Sequence, residues 1–319
     1  MKRAVLFSVL VVALVVAGAS PMATAQAQQK TIRIGMVNLS QCCPYFIGMA
    51  KAVLEEAAVY PNIEVISTDA NGDVEKLTSD VEDVLAKKVD GIILSGAFIE
   101  AAPGALDAIT KAGVPLVMVD RKLKGGDYTS WVGPDNYAIG VQDGQYIVDR
   151  LGGKGFIVGL RGGPADNTIG LDRTNGMLSV VQKSEIKVEN APDWGSWSSD
   201  GGFKLMENML AKYAKIDAVF CENDSMCLGA QKAIADTGRS GEMFLCGVDG
   251  EKAALVAIMA EGSNYACTGL NNSDQIGRAA FHRIMAILAG AQAPQDTVLP
   301  SPLITKDNVV KFYNPDSVF

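Results

Sequence analysis

The chain has 319 residues, 48% of them hydrophobic and 20% charged, and a formal net charge of −8. That acidic balance argues against a nucleic-acid or anionic-membrane partner. A single histidine, His282, and the lack of any C-x-x-C pair argue against a zinc site.

From the start of the chain, residues 1–25 read as a secretory signal peptide. Lys2 and Arg3 form a basic head, residues 4–17 are apolar apart from Ser8, and Ala23-Thr24-Ala25 fits a small-x-small cleavage site. Ala25-Gln26-Ala27 is a second candidate for the cut. The apolar run is shorter than the roughly 18–20 residues that span a bilayer, and no cysteine follows it, so neither an anchor nor a lipoprotein is expected. Cleavage removes two basic residues and takes the net charge to −10. What remains exceeds a usual single core of about 100–150 residues, so two domains are expected. Six cysteines (Cys42, Cys43, Cys221, Cys227, Cys246 and Cys267) sit in a chain bound for an oxidising compartment, which permits disulfides without choosing a pairing.

Short apolar runs rich in Val and Ile follow at 32–37, 63–67, 91–94, 116–119, 129–132, 156–160, 218–221, 244–248 and 265–269. Between them lie amphipathic stretches at 45–59, 74–86, 103–112, 136–151, 202–213, 225–236 and 274–289. Asp73 is placed to cap the second of these, where Val74, Leu77, Val81, Val84 and Leu85 recur at helical spacing. Continuous apolar strands alternating with helices predict an α/β fold with parallel sheets covered on both faces. The pattern also repeats. Lys88-Val89-Asp90-Gly91 is echoed by Lys215-Ile216-Asp217-Ala218, and the run ending at Asp120 by the run ending at Asp249. Two similar lobes, each with an aspartate at a strand's carboxyl end, predict a cleft between them.

Doubly wound sheets bind ligands beyond the carboxyl ends of their strands. The groups placed there are Cys43, Tyr45 and Phe46 after the first run, Asp120-Arg121, Glu222-Asn223-Asp224, Asp249-Gly250 and Asn271-Asn272. Aspartate accepts hydrogen bonds, arginine donates several in a plane, and asparagine does both. Aromatic rings add flat apolar faces. That set suits a sugar, with hydroxyls at its rim and C–H groups on its faces. Catalysis is poorly served: His282 lies in a helical stretch, and Arg121 beside Asp120 would hold that carboxylate ionised rather than poised as an acid. Arg161-Gly162-Gly163-Pro164 is neither a dinucleotide fingerprint nor a P-loop and reads as a turn. No cofactor is expected.

At these residues the chain resembles the bacterial sugar-binding proteins of the ribose-binding type, the class I periplasmic solute-binding proteins of ABC importers. The resemblance is carried by 89–93, 114–121, 218–230 and 247–250, in family order and behind an export signal. It implies two Rossmann-like lobes joined by three hinge strands, with boundaries at 30–133 plus 272–298 and 134–271 plus 299–319. It implies capture of a monosaccharide or polyol by hinge closure, delivery to a transporter permease, a monomer, and residence in the periplasm. The ligand-binding set it implies is Cys43, Tyr45, Phe46, Asp120, Arg121, Arg173, Trp197 with Trp194 as its rival, Asn223, Asp249 and Asn271. Asp224 is expected to cap the helix that follows it. Two positions depart from the family: Cys43 stands where an asparagine is usual, and Asn271 where the ribose binder has glutamine. Cys42-Cys43 could also close into a vicinal disulfide with a flat apolar face. A sugar-sensing receptor feeding a chemoreceptor or sensor kinase, and a secreted glycosidase, are the alternative readings.

Overall fold

The computed structural model describes residues 30–96, 101–124, 127–163 and 168–319. The expected signal peptide, and Pro164 in the predicted turn, lie outside the described residues. Within them the chain alternates strand and helix, as the periodicity predicts. The order is β1 (Ile32–Asn38), α1 (Pro44–Ala58), β2 (Ile63–Asp69), α2 (Val74–Ala86), β3 (Gly91–Ser95), α3 (Pro103–Ala112), β4 (Leu116–Val119) and β5 (Ser130–Pro134). It continues with α4 (Asn136–Leu151), β6 (Lys154–Leu160), α5 (Ile169–Val181), β7 (Glu185–Asn190), α6 (Ser199–Lys212), β8 (Ala218–Cys221), α7 (Asp224–Asp236), β9 (Phe244–Asp249), α8 (Lys252–Met259) and β10 (Tyr265–Leu270). Helix α9 (Ser273–Leu288) and two short strands, β11 (Asp296–Leu299) and β12 (Leu303–Thr305), follow.

The strands form two six-stranded sheets of matching order, β11-β5-β4-β3-β1-β2 and β12-β10-β9-β8-β6-β7. All pairs are parallel except β10 with β12. The fold is therefore two α/β lobes; the chain passes between them after β5, β10 and β11, and its last residues return to the first lobe. Strand β4, which runs into Asp120, and strand β9, which ends at Asp249, hold corresponding places in the two sheets. The sequence echo is thus a structural repeat.

Each sheet is apolar on both faces. In the first lobe one core packs under α2 and α3, and the other under α1 and α9. The second lobe repeats this, with α6, α7 and α8 on one face and α4 and α5 on the other. That explains why β3, β4, β8 and β9 read as unbroken hydrophobic runs: every residue in them is buried. The Asp73 carboxylate caps α2 as expected, accepting from the Glu75 and Lys76 amides at 2.8 and 3.1 Å.

Three strands and two helices, α5 and α8, escape the periodicity. β7 alternates Glu185, Lys187 and Glu189 along a sheet edge, and β11 and β12 are only four and three residues long. Helix α6 starts at Ser199 rather than Gly202, with Ser198 as its cap. Gly201 and Gly202 serve close packing: a Cβ on Gly202 would sit 2.1 Å from the Met226 carbonyl oxygen. The same holds between α4 and α5, where a Cβ on Gly140 would lie 2.0 Å from the Arg173 carbonyl oxygen.

Leu299 pairs with Pro134 in the first sheet, and the Phe319 ring is buried in the first lobe's core, so both side with the first lobe although their segment was grouped with the second. The segment leading to Phe319 is tied to both lobes. The Lys252 ammonium donates to the Pro315 and Ser317 carbonyls at 2.6 and 2.7 Å, and the Ser317 hydroxyl donates to Asp274 at 2.8 Å.

Backbone oxygen cannot move aside for a new methyl group. We therefore expect Gly140→Ala to destabilise the protein by about 1–3 kcal/mol, read as a lower urea midpoint. An unchanged midpoint would contradict the close α4–α5 contact.

Candidate ligand-binding cleft

At the carboxyl ends of both sheets the lobes enclose a cavity of about 520 Å³. It opens at the places where strand order reverses, between β1 and β3 in one lobe and β6 and β8 in the other, where doubly wound sheets form their crevices. All ten residues singled out from the sequence line it: Cys43, Tyr45, Phe46, Asp120, Arg121, Arg173, Trp197, Asn223, Asp249 and Asn271.

A hydrogen-bonded run crosses the cleft. The Tyr45 hydroxyl donates to Asp120 Oδ1 at 2.7 Å and lies 3.1 Å from Asn271 Oδ1. The Asn271 amide donates to Asp249 Oδ1 at 3.2 Å, and Arg173 Nη2 reaches the same oxygen at 2.9 Å. Arg173 is fixed from behind, with Nε on Asn136 Oδ1 at 2.9 Å and Nη1 on the Glu222 carbonyl at 2.6 Å. Glu222 in turn accepts from Thr174 Oγ1 and the Gly162 amide. On a second line, Arg121 Nη1 donates across the lobes to Thr168 Oγ1 at 2.6 Å.

Helix geometry explains why Tyr45 can act as the hub. Pro44 opens α1, so Tyr45 stands at the helix's first turn, facing inward. Its ring is gripped edge-on by Phe46 and by Phe319, with centroids 5.2 and 5.3 Å away. Tyr45 therefore presents its hydroxyl to the aspartate rather than its face to the cavity. Burial and the Asp120 charge push its phenol well above the usual range.

Six described non-glycine residues have positive φ, and four of them line this cavity: Asp120 (62°), Ser196 (51°), Trp197 (57°) and Asp249 (126°). Such strained backbone persists only where the surroundings enforce it, and it concentrates at functional sites. The Trp197 indole lies against Gly162, where a Cβ would be 2.0 Å from the ring; only glycine fits. Trp194 is not part of the lining; it is 39% exposed, with the Arg161 guanidinium 4.2 Å from its ring centroid.

The capping roles at α7 are exchanged relative to the expectation. Asn223 is the cap: its Oδ1 accepts from the Met226 amide at 3.0 Å, while its Nδ2 donates to the Trp197 carbonyl at 3.2 Å. Asp224 instead gathers the Gly250 and Glu251 amides and the Tyr265 and Thr268 hydroxyls. It sets the turn that carries Asp249.

Ser95 was missed from the sequence. It ends β3, is 3% exposed, and its hydroxyl has no hydrogen-bond partner although the residue lines the cavity. Its position at a strand's carboxyl end was the available signal. Of the two departures from the family pattern, Cys43 is half-buried at the N-cap of α1 with its side chain making no capping bond, and Asn271 is spent within the network. His282 is 3.1 Å from Glu56 on the surface between α9 and α1 and does not line the cleft. Among the described residues no group of His, Cys, Asp and Glu side chains could hold a metal ion, and no helix is long and apolar enough to cross a membrane.

Burial raises the Asp249 carboxyl to about 7, against the opposing pull of Arg173 and Asn271. Between the ordinary carboxylate range and pH 7 the native state thus binds more protons here than the unfolded chain, so stability falls as pH rises through that window. Asp143 and Asp224, also raised by burial, act with the same sign. We expect Asp249→Asn to remove part of this slope, so that wild type loses up to about 4 kcal/mol relative to the variant between pH 4 and pH 8. Parallel urea titrations of both proteins measure this; parallel curves would refute a raised Asp249.

Comparison with known proteins agrees with this architecture. The family model described as a periplasmic binding protein domain matches residues 34–292. A xylitol-binding protein of Mycolicibacterium smegmatis is 33% identical over 285 residues, 89% of this chain and 80% of that protein. A ribose import binding protein of Bacillus subtilis is 29% identical over 289 residues, 90% of this chain and 91% of that protein. A crystal structure of an ABC transporter solute-binding protein from Mycobacterium smegmatis with bound glycerol superposes with a TM-score of 0.83 at 27% identity, covering 90% of this chain and 98% of that one. These relatives are binding proteins rather than enzymes. The chain belongs to the periplasmic binding protein family, among the type I sugar-binding proteins of ABC importers of the ribose-binding type.

Proposed function

We propose that the chain captures an uncharged monosaccharide or polyol in this cleft by hinge closure and delivers it to the permease of an ABC importer. The observation that carries the reading is the pairing of charge. Each lobe offers one arginine and one aspartate to the same cavity, Arg121 with Asp120 and Arg173 with Asp249, beside the rings of Phe46 and Trp197. Each arginine is matched by an aspartate, so neither an acid nor an amine finds an unmatched partner, which suits hydroxyls better. The xylitol-binding and glycerol-bound relatives support the same class. Contacts to both lobes exist together only when the cleft is closed, so ligand draws the population toward that state. In this reading Asp120 and Arg121 grip hydroxyls from one side and Arg173, Asn223 and Asp249 from the other. The lobes hinge near residues 133, 271 and 298. The protein works as a monomer in the periplasm after cleavage near Ala25.

Calorimetry of the protein beginning after residue 25, against xylitol, ribitol, glycerol, ribose, allose and myo-inositol, tests this. We expect at least one micromolar binder, and Asp120→Ala should weaken it about 100-fold, since a ligand hydroxyl and Tyr45 both lose their acceptor. No heat with any pentose, hexose or polyol would sink the reading.

Ser95 gives a sharper test. Its hydroxyl is already unpartnered, so Ser95→Ala should leave the melting temperature of the ligand-free protein unchanged or higher. If the hydroxyl meets ligand, affinity drops by about 1 kcal/mol, roughly fivefold. A lower melting temperature with unaltered affinity would assign Ser95 to the fold instead.

A further inference from the structure

All six cysteines lie within the described residues, and they fall into two groups. Cys221, Cys227, Cys246 and Cys267 are 0% exposed inside the second lobe. Cys42 is exposed and Cys43 half-buried, and both line the cleft. Cys42 belongs to neither core of the first lobe, and Cys43 packs only against the edge of one. They are covalent neighbours, placed where the chain enters the positive end of a 15-residue helix. Solvent-accessible thiols therefore have one address on this protein; the Cys246 and Cys267 sulfurs, 2.7 Å apart, are fully buried.

The two sulfurs are also inequivalent. A hydrogen bond from the Cys43 thiol, joined by Ser40, draws Cys42 down to about 6 against burial and the Asp69 charge. The same contact, together with burial, holds Cys43 as the thiol. An exposed thiolate beside a protonated partner is the arrangement of an attacking and a resolving cysteine.

We propose that Cys42 and Cys43 form a redox-active dithiol at the rim of the cleft, which reacts with low-molecular-weight disulfides and closes into a vicinal disulfide. The Cys42 thiolate attacks one sulfur of R–S–S–R; that bond breaks, RS⁻ leaves, and a mixed disulfide forms on Cys42. Cys43 then gives up its proton, which the departed RS⁻ takes as RSH. The Cys43 sulfur attacks Cys42 and expels the second RS⁻, which is protonated by solvent. Two electrons pass to the small disulfide, which ends as two thiols. Neighbouring Cα atoms are about 3.8 Å apart, shorter than the roughly 4.4–6.8 Å a relaxed disulfide spans. The closed ring is therefore strained and readily reduced again, the mark of a labile rather than a structural bond. Ring closure pulls Cys43 from its extended cap geometry (φ −148°, ψ 162°), two residues before the Tyr45 hub. Resting on the proposed function, its consequence is weaker ligand capture in the oxidised form.

The reduced protein, treated with oxidised glutathione and then freed of it, tests this by intact mass and peptide mapping. Iodoacetamide labelling of the native fold gives an independent readout. In the reduced protein labelling should fall first on Cys42, with the four core cysteines unlabelled. After oxidation the mass should drop by two hydrogens, the 42–43 peptide should carry the bridge, and labelling should stop. Cys43→Ser should halt at a glutathione adduct on Cys42. Wild type that stays alkylatable at both positions, or that keeps a glutathione adduct without closing, overturns the dithiol. For the tightest ligand of the sugar panel, affinity should fall at least tenfold on oxidation and return with dithiothreitol; equal affinity in both forms overturns the gating. A panel with no binder in either form counts against the sugar-capture reading, while the mass result still decides the dithiol.

Discussion

The structure turns on a buried, charged, hydrogen-bonded run that crosses between the lobes from Asp120 through Tyr45 and Asn271 to Asp249 and Arg173. Ionised groups taken out of water are costly unless each is paired and its remaining donors and acceptors are met. Here that demand reaches far beyond the cavity. Arg173 needs Asn136 and the Glu222 carbonyl; Glu222 needs Thr174 and the Gly162 amide. The turn carrying Asp249 needs Asp224, which needs Tyr265 and Thr268. The positive φ at Asp120 and Asp249 follows from the same requirement. Each carboxylate must leave its strand end turned into the cleft, and the strain is held by packing on both sheet faces.

Because the run is complete without ligand, its members have two duties. Asp120 is held by the Tyr45 hydroxyl, and Asp249 by Arg173 and Asn271. A hydroxyl-bearing ligand therefore meets groups already oriented, so little side-chain ordering remains to oppose binding. The connection also joins the lobes directly, alongside Arg121 to Thr168. Separating the lobes must break these bonds, so the orientation of the cleft residues and the position of the lobes share one set of hydrogen bonds.

The sequence made some of this legible. Apolar runs ending in aspartate, repeated in both halves, mark the two jaws; strand ends point to eight residues of the lining, and the family resemblance adds Arg173 and Trp197. What stayed hidden has physical causes. Gly140, Gly201 and Gly202 look like breakers, yet they admit neighbouring backbone at distances no Cβ permits. Ser95 looks like the end of a buried strand; its missing partner is visible only in three dimensions. Asn223 and Asp224 are adjacent and chemically alike, so which one caps α7 is decided by Trp197 and Gly250, distant in sequence. Phe319 lies 274 positions from the Tyr45 ring it supports, a pairing no local pattern encodes.

The two departures from the resembled family bear on selectivity in different ways. Asparagine at 271 is one methylene shorter than glutamine, and at that length its amide ends on Tyr45 and Asp249 rather than further into the cavity. At this length the Asn271 amide holds Asp249 in place within the network. Cys43 withdraws a strong amide from the opposite wall and leaves a thiol that neither caps its helix nor matches an amide in hydrogen bonding. The Cys43 change lowers polar reach on the first-lobe side of the cleft, while Arg121, Asp120 and the unpartnered Ser95 hydroxyl remain there. Selectivity on that wall must then come from where those three groups meet hydroxyls and from how the apolar faces of Phe46 and the cysteine pair meet C–H groups. A hydroxyl aimed at the Cys43 thiol would lose its water without gaining a comparable partner, at a cost of about 1–3 kcal/mol.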